Sequence, residues 1–291
     1  RKMTFKTRFA PSPTGELHLG HAYSALFGFH LASINSGVFH LRIEDLDQSR
    51  STKAFEKAIY EDLSWLDIKW NENIIRQSER SALYNDKLKT LWDLGLLYEC
   101  CCSRRDILNA ISAPQGSKPQ YGPDGSIYPG TCKKNIMKSR FPTKRNGALR
   151  LDMKKAWNYI DRDFLTFFEA EKILKGASKT QIVTRAEAVN NIGDVVLSRP
   201  GSEASYHLSV VIDDAELGIN NIVRGEDLFD ATKIHTILYF LFNFSNPTYY
   251  HHKLIKDSNG KRLAKRDKSQ SISSLRKAGH SPSSIRSKLG I

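Results

Sequence analysis

Two histidines stand three positions apart near the start of the chain, in the run His18-Leu19-Gly20-His21. The preceding segment Pro11 to Gly15 is predicted to be a loop because two prolines and a glycine interrupt it, and apolar positions at helical spacing follow the histidines. Two imidazoles at the start of a helix can face one ligand, and the helix N-terminus favours an anion such as a phosphate. Gly20 would let a flat group such as a purine approach the backbone. The alternative is a pair of solvated loop histidines, against which the attached loop argues.

A second candidate for chemistry is the basic run from Lys261 to Arg266, which follows a turn predicted at Asn259-Gly260. A cation-dense loop of this kind can close on a triphosphate and stabilise the charge that develops as pyrophosphate leaves. The alternative is a solvated basic face, which is the more common role of such runs.

The elements that must position the first run form a βαβ pattern. Lys6 to Phe9, with Ala10, is predicted to be a strand, a helix begins near Gly20, and Val38 to Ile43 is a second strand after the turn Asn35-Ser36-Gly37. Consecutive parallel strands of this kind place a ligand at their carboxyl ends.

The remainder of the chain is predicted to alternate between helical and β-rich segments. Residues from about Thr52 to Leu97 are mostly helical in pattern, and Cys100 to about Pro142 is a loop-rich insertion. The sheet is expected to resume in three β-rich runs, which are Val195 to Leu197, Ser209 to Ile212, and Ile222-Val223. An apolar helix is expected at Ile234 to Phe244, and Ser281-Pro282 predicts the cap of a final short helix.

The composition limits the class of partner that the protein is expected to bind. The 291 residues carry a formal net charge of +13, which favours an anionic partner such as a nucleic acid, a nucleotide or an acidic membrane surface. The apolar stretches are shorter than a membrane span, and the first residues lack the apolar core of a secretory signal. We therefore expect a cytoplasmic protein with no membrane partner.

Taken together, the motifs resemble those of a known family. The runs His18 to His21 and Arg262-Leu263-Ala264-Lys265-Arg266 resemble the two signatures of the class I aminoacyl-tRNA synthetases, and Arg8 to Gly15 resembles the start of the glutamyl-tRNA synthetase subgroup. The likeness covers roughly residues 5 to 267 in the family's order. Further runs similar to that subgroup are Phe39 to Asp47, Ser205 to Leu208, Val211 to Asp214, and Ile222 to Leu228.

The resemblance implies an α/β fold with a Rossmann-like catalytic domain and an inserted, acceptor-binding-like subdomain that holds zinc. The expected segments are 1–98 and 191–267 for the two catalytic halves, 99–190 for the insertion, and 268–291 for a short helical tail. Because only twenty-five residues follow Arg266, we expect no anticodon-binding domain. This shortened form resembles a paralogous family that activates glutamate without tRNA and attaches it to queuosine at the wobble base of tRNA(Asp).

The resemblance also assigns roles to individual residues. His18, His21 and Lys265 would be catalytic, and ATP would be bound by His18, Gly20, His21, Arg262, Leu263 and Lys265. A glutamate pocket needs cations for two carboxylates and an anion for the ammonium. By resemblance Glu44 receives the ammonium, Arg224 pairs with the side-chain carboxylate, and Arg8, Ser12 and Tyr206 complete the pocket. For Arg224 or Glu44 taken singly, the alternative is a structural ion pair.

The second signature departs from the family pattern at two positions. The family usually has Lys and Ser where this chain has Arg262 and Ala264. Arg262 keeps the charge, whereas Ala264 removes a hydroxyl. We expect pyrophosphate release to be slower or to depend more on Lys265 and Lys261.

Three of the four cysteines are consecutive, Cys100, Cys101 and Cys102, and Cys132 lies thirty residues beyond Cys102. Zinc takes four ligands, and no histidine lies between Cys100 and Cys132, so the fourth ligand would be Cys101 or an oxygen. The family resemblance favours Tyr128, giving the set Cys100, Cys102, Tyr128 and Cys132 around a structural zinc. Reduced thiols without metal are the alternative.

The sequence leads to one preferred function and two alternatives. The preferred function is the ATP-dependent, tRNA-independent activation of L-glutamate and its transfer to queuosine of tRNA(Asp), with Mg²⁺ accompanying ATP. The alternatives are an enzyme that charges the 3′ end of tRNA(Glu) and a non-catalytic RNA-binding relative. We expect a monomer.

Overall fold

The computed structural model describes residues 3–112, 120–135, 140–170, 179–256, 260 and 271–291. Within these ranges the chain is an α/β protein, as predicted. The strands are β1 Lys6–Phe9, β2 Val38–Ile43, β3 Ile75–Arg76, β4 Leu97–Cys100, β5 Tyr121–Gly122, β6 Gly125–Ser126, β7 Ala148–Leu151, β8 Phe164–Glu169, β9 Thr180–Thr184, β10 Val196–Ser198, β11 Asn221–Gly225 and β12 Thr248–His252. The helices are α1 Leu19–Ile34, α2 Lys53–Trp65, α3 Ser81–Asp93, α4 Arg104–Ser112, α5 Met153–Ile160, α6 Arg185–Glu187, α7 Tyr206–Glu216, α8 Ala231–Leu241, α9 Ile272–Lys277 and α10 Pro282–Leu289. No helix in these ranges has both the length and the apolar character needed to cross a membrane.

The amino-terminal βαβ unit is confirmed. Strands β1 and β2 pair in parallel, with Lys6 opposite Val38 and Phe9 opposite Leu41, and α1 connects them. The turn after α1 needs a glycine, because a Cβ on Gly37 would lie 2.3 Å from the carbonyl oxygen of Phe5. Strand β3 extends the sheet on the far side of β2.

A second sheet lies beside the first. Its order is β11-β12-β8-β9, with β11, β12 and β8 parallel and β9 antiparallel to β8. The two sheets meet at β1 and β11, where the amide of Asn220 donates to the carbonyl oxygen of Lys6 over 3.1 Å. Arg8 near the end of β1 and Arg224 near the end of β11 therefore approach the same edge, at which doubly wound folds bind ligands.

A third, smaller sheet is antiparallel in the order β10-β7-β4, and β5 and β6 form a hairpin. The hairpin packs closely on the segment before β10, because a Cβ on Gly122 would lie only 2.3 Å from the carbonyl oxygen of Asn191. Asp124, in the turn of this hairpin, is thereby brought against α7, where its carboxylate meets His207.

One predicted strand is wrong. The run Ser209 to Ile212 lies in the middle of α7, which Ser205 caps by accepting the backbone N–H of Leu208. Every residue from His207 to Asp214 is buried, so the helix shows no polar face and its β-branched core resembles a strand in sequence. The other β-rich runs are confirmed within a residue or two as β10 and β11, and Ser281 caps α10 as predicted.

Candidate active site

The two histidines of the first run form the N-terminal cap of α1. His18 Nδ1 accepts the backbone N–H of Gly20 over 3.1 Å, and His21 Nδ1 accepts the backbone N–H of His18 over 3.0 Å. The rings stack with their centroids 3.7 Å apart. Because each Nδ1 is an acceptor, each neutral ring carries its proton on Nε2 and offers an N–H donor suited to phosphate oxygens.

Gly20 has a further role that the sequence alone did not reveal. A Cβ at this position would lie 3.0 Å from Cε1 and 3.1 Å from Nδ1 of His18. A side chain there would therefore press on the imidazole that caps the helix. The glycine therefore keeps the backbone accessible and avoids displacing the His18 ring.

These histidines border a cavity of about 250 Å³ at the shared edge of the two sheets. Seven of the residues expected to bind ATP or glutamate line it, namely Arg8, His18, Gly20, His21, Glu44, Tyr206 and Arg224. The structure thus brings together residues that lie more than two hundred positions apart in the sequence.

One wall of the cavity is a buried cluster of ion pairs. Arg8 Nε and Nη2 donate to the two carboxylate oxygens of Asp214 over 2.8 and 3.1 Å, and Arg42 Nη1 donates to the same carboxylate over 2.6 Å. Burial alone would raise the pKa of Asp214, but Arg42 and Arg8 lower it below its ordinary value. Arg42 also donates to Glu44 over 3.2 Å, yet burial dominates there and raises the pKa of Glu44.

Arg224 also lines the cavity, but in different surroundings. Its guanidinium donates to His251 Nε2 over 3.1 Å, to Thr232 Oγ1 over 2.7 Å and to His235 Nδ1 over 3.2 Å. It also lies over the ring of Tyr249, at 5.2 Å from the centroid. Among the described residues, no carboxylate lies within salt-bridge distance of Arg224. Its buried positive charge is therefore suited to an anionic ligand.

Several cavity residues carry no assignment from the sequence. His252 donates from Nδ1 to the carbonyl oxygen of Lys253, so its Nε2 accepts the hydroxyl of Ser24 over 2.5 Å, and both side chains face the cavity. Asp227 also lines it. Asp227 lies in the run Ile222 to Leu228, whose family resemblance was a signal that could have identified it. Ser24 and His252 lie in a helix and a strand with no such motif.

Ser12 is apart from the described cavity lining, and the residues of the second signature are not described. The hydroxyl of Ser12 lies 3.0 Å from that of Thr14, in the loop after β1, and Ser12 is not among the described residues lining the cavity. Arg262, Leu263 and Lys265, together with Lys261 and Ala264, fall outside the described residues.

The cysteine cluster lies at the end of β4. The sulfur atoms of Cys100, Cys102 and Cys132 all lie within 4.8 Å of one another. The Tyr128 hydroxyl lies 3.4 Å from Cys102 Sγ and accepts the backbone N–H of Cys132 over 2.9 Å. Cys101 is exposed, and its sulfur lies on the side of Gly147. Three thiols and a phenol in this arrangement fit the ligand chemistry of zinc.

The ionisation of the cluster is uneven. Burial raises the pKa of Cys102 to about 11. Burial also opposes ionisation of Cys132, but the hydrogen bond from Tyr128 and contacts with the neighbouring cysteines lower its pKa. A cation bound among these sulfurs would favour thiolates at all three positions.

The cluster borders a wider cavity of about 700 Å³, which is lined mostly by residues between Cys100 and Arg150. Three arginines face it, Arg104, Arg150 and Arg199. Asp124 also lines this cavity, on the side that leads to α7.

The fold and the site define a class I aminoacyl-tRNA synthetase. The family model of the class I tRNA synthetases (E and Q), catalytic domain, matches residues 4–290. The chain belongs to this family and is an ATP-dependent ligase.

Individual relatives refine this placement. The chain is 46% identical to the glutamyl-Q tRNA(Asp) synthetase of Rhodobacter capsulatus, over 98% of this chain and 99% of that protein. It is 33% identical to the glutamate–tRNA ligase of a Hydrogenobaculum species, over 96% of this chain but 56% of that protein. The crystal structure of a glutamate tRNA ligase from Elizabethkingia meningosepticum in complex with its amino acid superposes with a TM-score of 0.69 at 25% identity, and the match covers 96% of this chain and 54% of that one. The chain thus spans about half the length of these two ligases.

Proposed function

We propose that the protein activates L-glutamate with ATP, without needing tRNA, and transfers it to queuosine at the wobble position of tRNA(Asp). The observation that supports glutamate activation is Arg224, a buried guanidinium held by neutral groups. It lies at the wall of the cavity that the two histidines border. The similarity to the Rhodobacter glutamyl-Q tRNA(Asp) synthetase supports the transfer of glutamate to queuosine.

The activation step follows from the arrangement of charges. The α-carboxylate of glutamate attacks the α-phosphorus of ATP, the bond to the bridging oxygen breaks, and pyrophosphate leaves. His18 and His21 offer Nε2–H donors to the phosphate oxygens. Lys265, with Arg262 of the second signature, is proposed to neutralise the departing pyrophosphate, and Leu263 is proposed to help bind ATP. Positioning and electrostatic stabilisation supply most of the catalysis in such a step. ATP enters with Mg²⁺ as its counterion.

We propose that the choice of glutamate depends on the charged and polar residues that line the cavity. Arg224 pairs with the side-chain carboxylate of glutamate, while Glu44 receives the ammonium and Arg8, Ser12 and Tyr206 complete the pocket. Glutamine would leave Arg224 without an anionic partner, and such a mismatch is strongly discriminated against in a desolvated site.

The transfer step needs an RNA nucleophile at the adenylate. We propose that the anticodon loop enters through the wide arginine-lined cavity beside the insertion, and that a hydroxyl of the queuosine cyclopentenediol attacks the glutamyl carbonyl carbon, with AMP as the leaving group. The net charge of +13 makes this association salt-sensitive. Residues 99–190 would act as the RNA-facing subdomain of a catalytic domain formed by 1–98 and 191–267, with 268–291 as a tail.

We propose a structural zinc held by Cys100, Cys102, Tyr128 and Cys132. Bound there, zinc would hold the base of the inserted subdomain together and keep its RNA-facing loops in place. Metal analysis of the purified protein should find about one zinc per chain, lost in Cys102→Ser and retained in the matched control Cys101→Ser. Equal zinc contents in the two variants would contradict this ligand set.

One experiment tests the proposed function as a whole. Purified protein is incubated with labelled glutamate, ATP and total tRNA from strains with and without queuosine, and pyrophosphate exchange is measured in parallel without tRNA. We expect glutamate-dependent exchange in the absence of tRNA and labelling of tRNA(Asp) only where queuosine is present. Exchange that requires tRNA, or labelling of tRNA(Glu), would instead indicate conventional charging of a 3′ end.

A further inference from the structure

A line of hydrogen bonds connects the inserted hairpin to Arg224. Asp124 Oδ1 lies 3.2 Å from His207 Nε2, His207 Nδ1 lies 3.1 Å from His235 Nε2, and His235 Nδ1 lies 3.2 Å from Arg224 Nη1. Both histidines are buried, with 6% and 1% of their surfaces exposed. The line therefore runs from the wide cavity to the narrow one through the interior of the protein.

The direction of every hydrogen bond in this line is fixed by its two ends. Arginine can only donate, so His235 Nδ1 must accept and its proton must reside on Nε2. That proton is donated to His207 Nδ1, which places the proton of His207 on Nε2 as well. The last proton needs an acceptor that cannot compete as a donor, and the carboxylate of Asp124 is such an acceptor. Asp124 and Arg224 thus favour the same tautomers of the two imidazoles from opposite ends of the line.

The other side of Arg224 is built in the same way. Arg224 Nε donates to His251 Nε2, so His251 donates from Nδ1 to Glu169 Oε2 over 2.5 Å. The guanidinium therefore lies between two neutral imidazoles, each oriented by a carboxylate beyond it. Neither carboxylate touches Arg224, so the guanidinium is oriented without being neutralised by direct contact.

We infer that Asp124 is a positioning residue for glutamate, acting through His207 and His235 to fix the orientation of Arg224. The inference rests on the proposed role of Arg224 in the glutamate pocket. It assigns to the inserted hairpin a part in amino-acid selection, in addition to any contact with RNA. Without Asp124, His207 can present the opposite tautomer, His235 follows, and a ring N–H then faces the guanidinium instead of an acceptor.

The kinetic test compares three variants in pyrophosphate exchange without tRNA. In Asp124→Ala, we expect the KM for glutamate to rise about tenfold, with the KM for ATP and kcat changed less than about twofold, because a hydrogen-bonded arrangement around a charge is lost and not a reacting group. Asp124→Asn retains an oxygen acceptor and should lie between Ala and the parent. Asp163→Ala, which removes an exposed carboxylate at the start of β8, is the control. A KM for glutamate in Asp124→Ala within twofold of the parent would overturn the inference.

A second measurement does not depend on activity. Long-range ¹H–¹⁵N spectra of ¹⁵N-histidine-labelled protein, assigned with His207→Gln and His235→Gln, report which ring nitrogen carries the proton. We expect both histidines protonated on Nε2 in the parent and a change of tautomer in Asp124→Ala. Protonation of either ring on Nδ1 in the parent would refute the relay even if glutamate is activated. The expected tautomers in a protein that does not activate glutamate would instead refute the proposed function.

Discussion

The buried arginines at this edge of the fold form two groups, Arg8 with Arg42 and Arg224 alone, and the two groups are stabilised in opposite ways. Arg8 and Arg42 on the first sheet are neutralised directly by Asp214, with Glu44 and Asp213 close by. Arg224 on the second sheet rests on imidazoles, a hydroxyl and an aromatic ring. The same residue type at the same edge of the fold therefore has two electrostatic roles.

The difference shows how a protein keeps one buried charge available for a ligand. A carboxylate in direct contact would stabilise Arg224 but would compete with a substrate carboxylate for the same N–H groups. Neutral acceptors orient the guanidinium with less compensation of its charge. The cost of its burial is then offset when an anionic ligand binds.

The largest expected effect is a loss of stability at the first group, Arg8 and Arg42. In Asp214→Asn, two buried guanidinium groups lose their shared counter-charge, so we expect the free energy of unfolding to fall by about 3–5 kcal/mol. Urea denaturation measures the change, with Asp163→Ala as the control at an exposed position. A loss below about 1 kcal/mol would show that Asp214 is not the main counter-charge.

The next largest effect is expected at Arg224 and is measured as enzyme activity. Arg224→Ala should raise the KM for glutamate in pyrophosphate exchange by about two to three orders of magnitude, because two charge-assisted hydrogen bonds to the substrate are lost. Arg224→Lys should be intermediate, since it keeps the charge but not the paired donors. Arg224→Ala should also lose less stability than Asp214→Asn, because no charge is left unpaired. Normal glutamate binding in Arg224→Ala would show that the pocket assignment is wrong.

The smallest effect is a pH dependence of stability around Arg224. Burial, with Arg224 nearby, lowers the pKa of His251 to about 4 although Glu169 opposes the shift, so between about pH 4 and 6.5 the unfolded chain binds the proton that the folded chain excludes. The free energy of unfolding should therefore fall as the pH falls through this window, by up to about 3 kcal/mol from this residue.

The matched variants for this pH dependence are His251→Gln and His30→Gln. His251→Gln should make the fall shallower, whereas His30→Gln, at an exposed position of α1, should leave it unchanged. The same slope in both variants would exclude His251 as its source.

The sequence predicted the first half of the molecule well because the signals there are local. Prolines and glycines mark the loop and the turn around α1, and the alternation from Val38 to Ile43 marks β2. The histidine cap is also local, since His18 and His21 bond to the backbone within three residues of themselves. Short-range geometry of this kind can be read from spacing.

The charge environment could not be predicted in the same way. Arg224 is held by His235, Thr232 and His251, and the two imidazoles are oriented in turn by the distant residues Asp124 and Glu169. No spacing rule links such positions, because the tertiary fold alone brings them together. The strand wrongly predicted at Ser209 to Ile212 has a related cause, since burial on every side of α7 removes the helical pattern.

The most direct test of the central claim uses an isolated RNA. An anticodon stem-loop of tRNA(Asp) bearing queuosine, and the same stem-loop with guanine, are each incubated with the protein, ATP and labelled glutamate. Because the proposed nucleophile is the cyclopentenediol of queuosine, the first RNA should become labelled and the second should not. Labelling of neither stem-loop, together with labelling of a 3′-terminal adenosine in intact tRNA, would contradict the proposed transfer to queuosine.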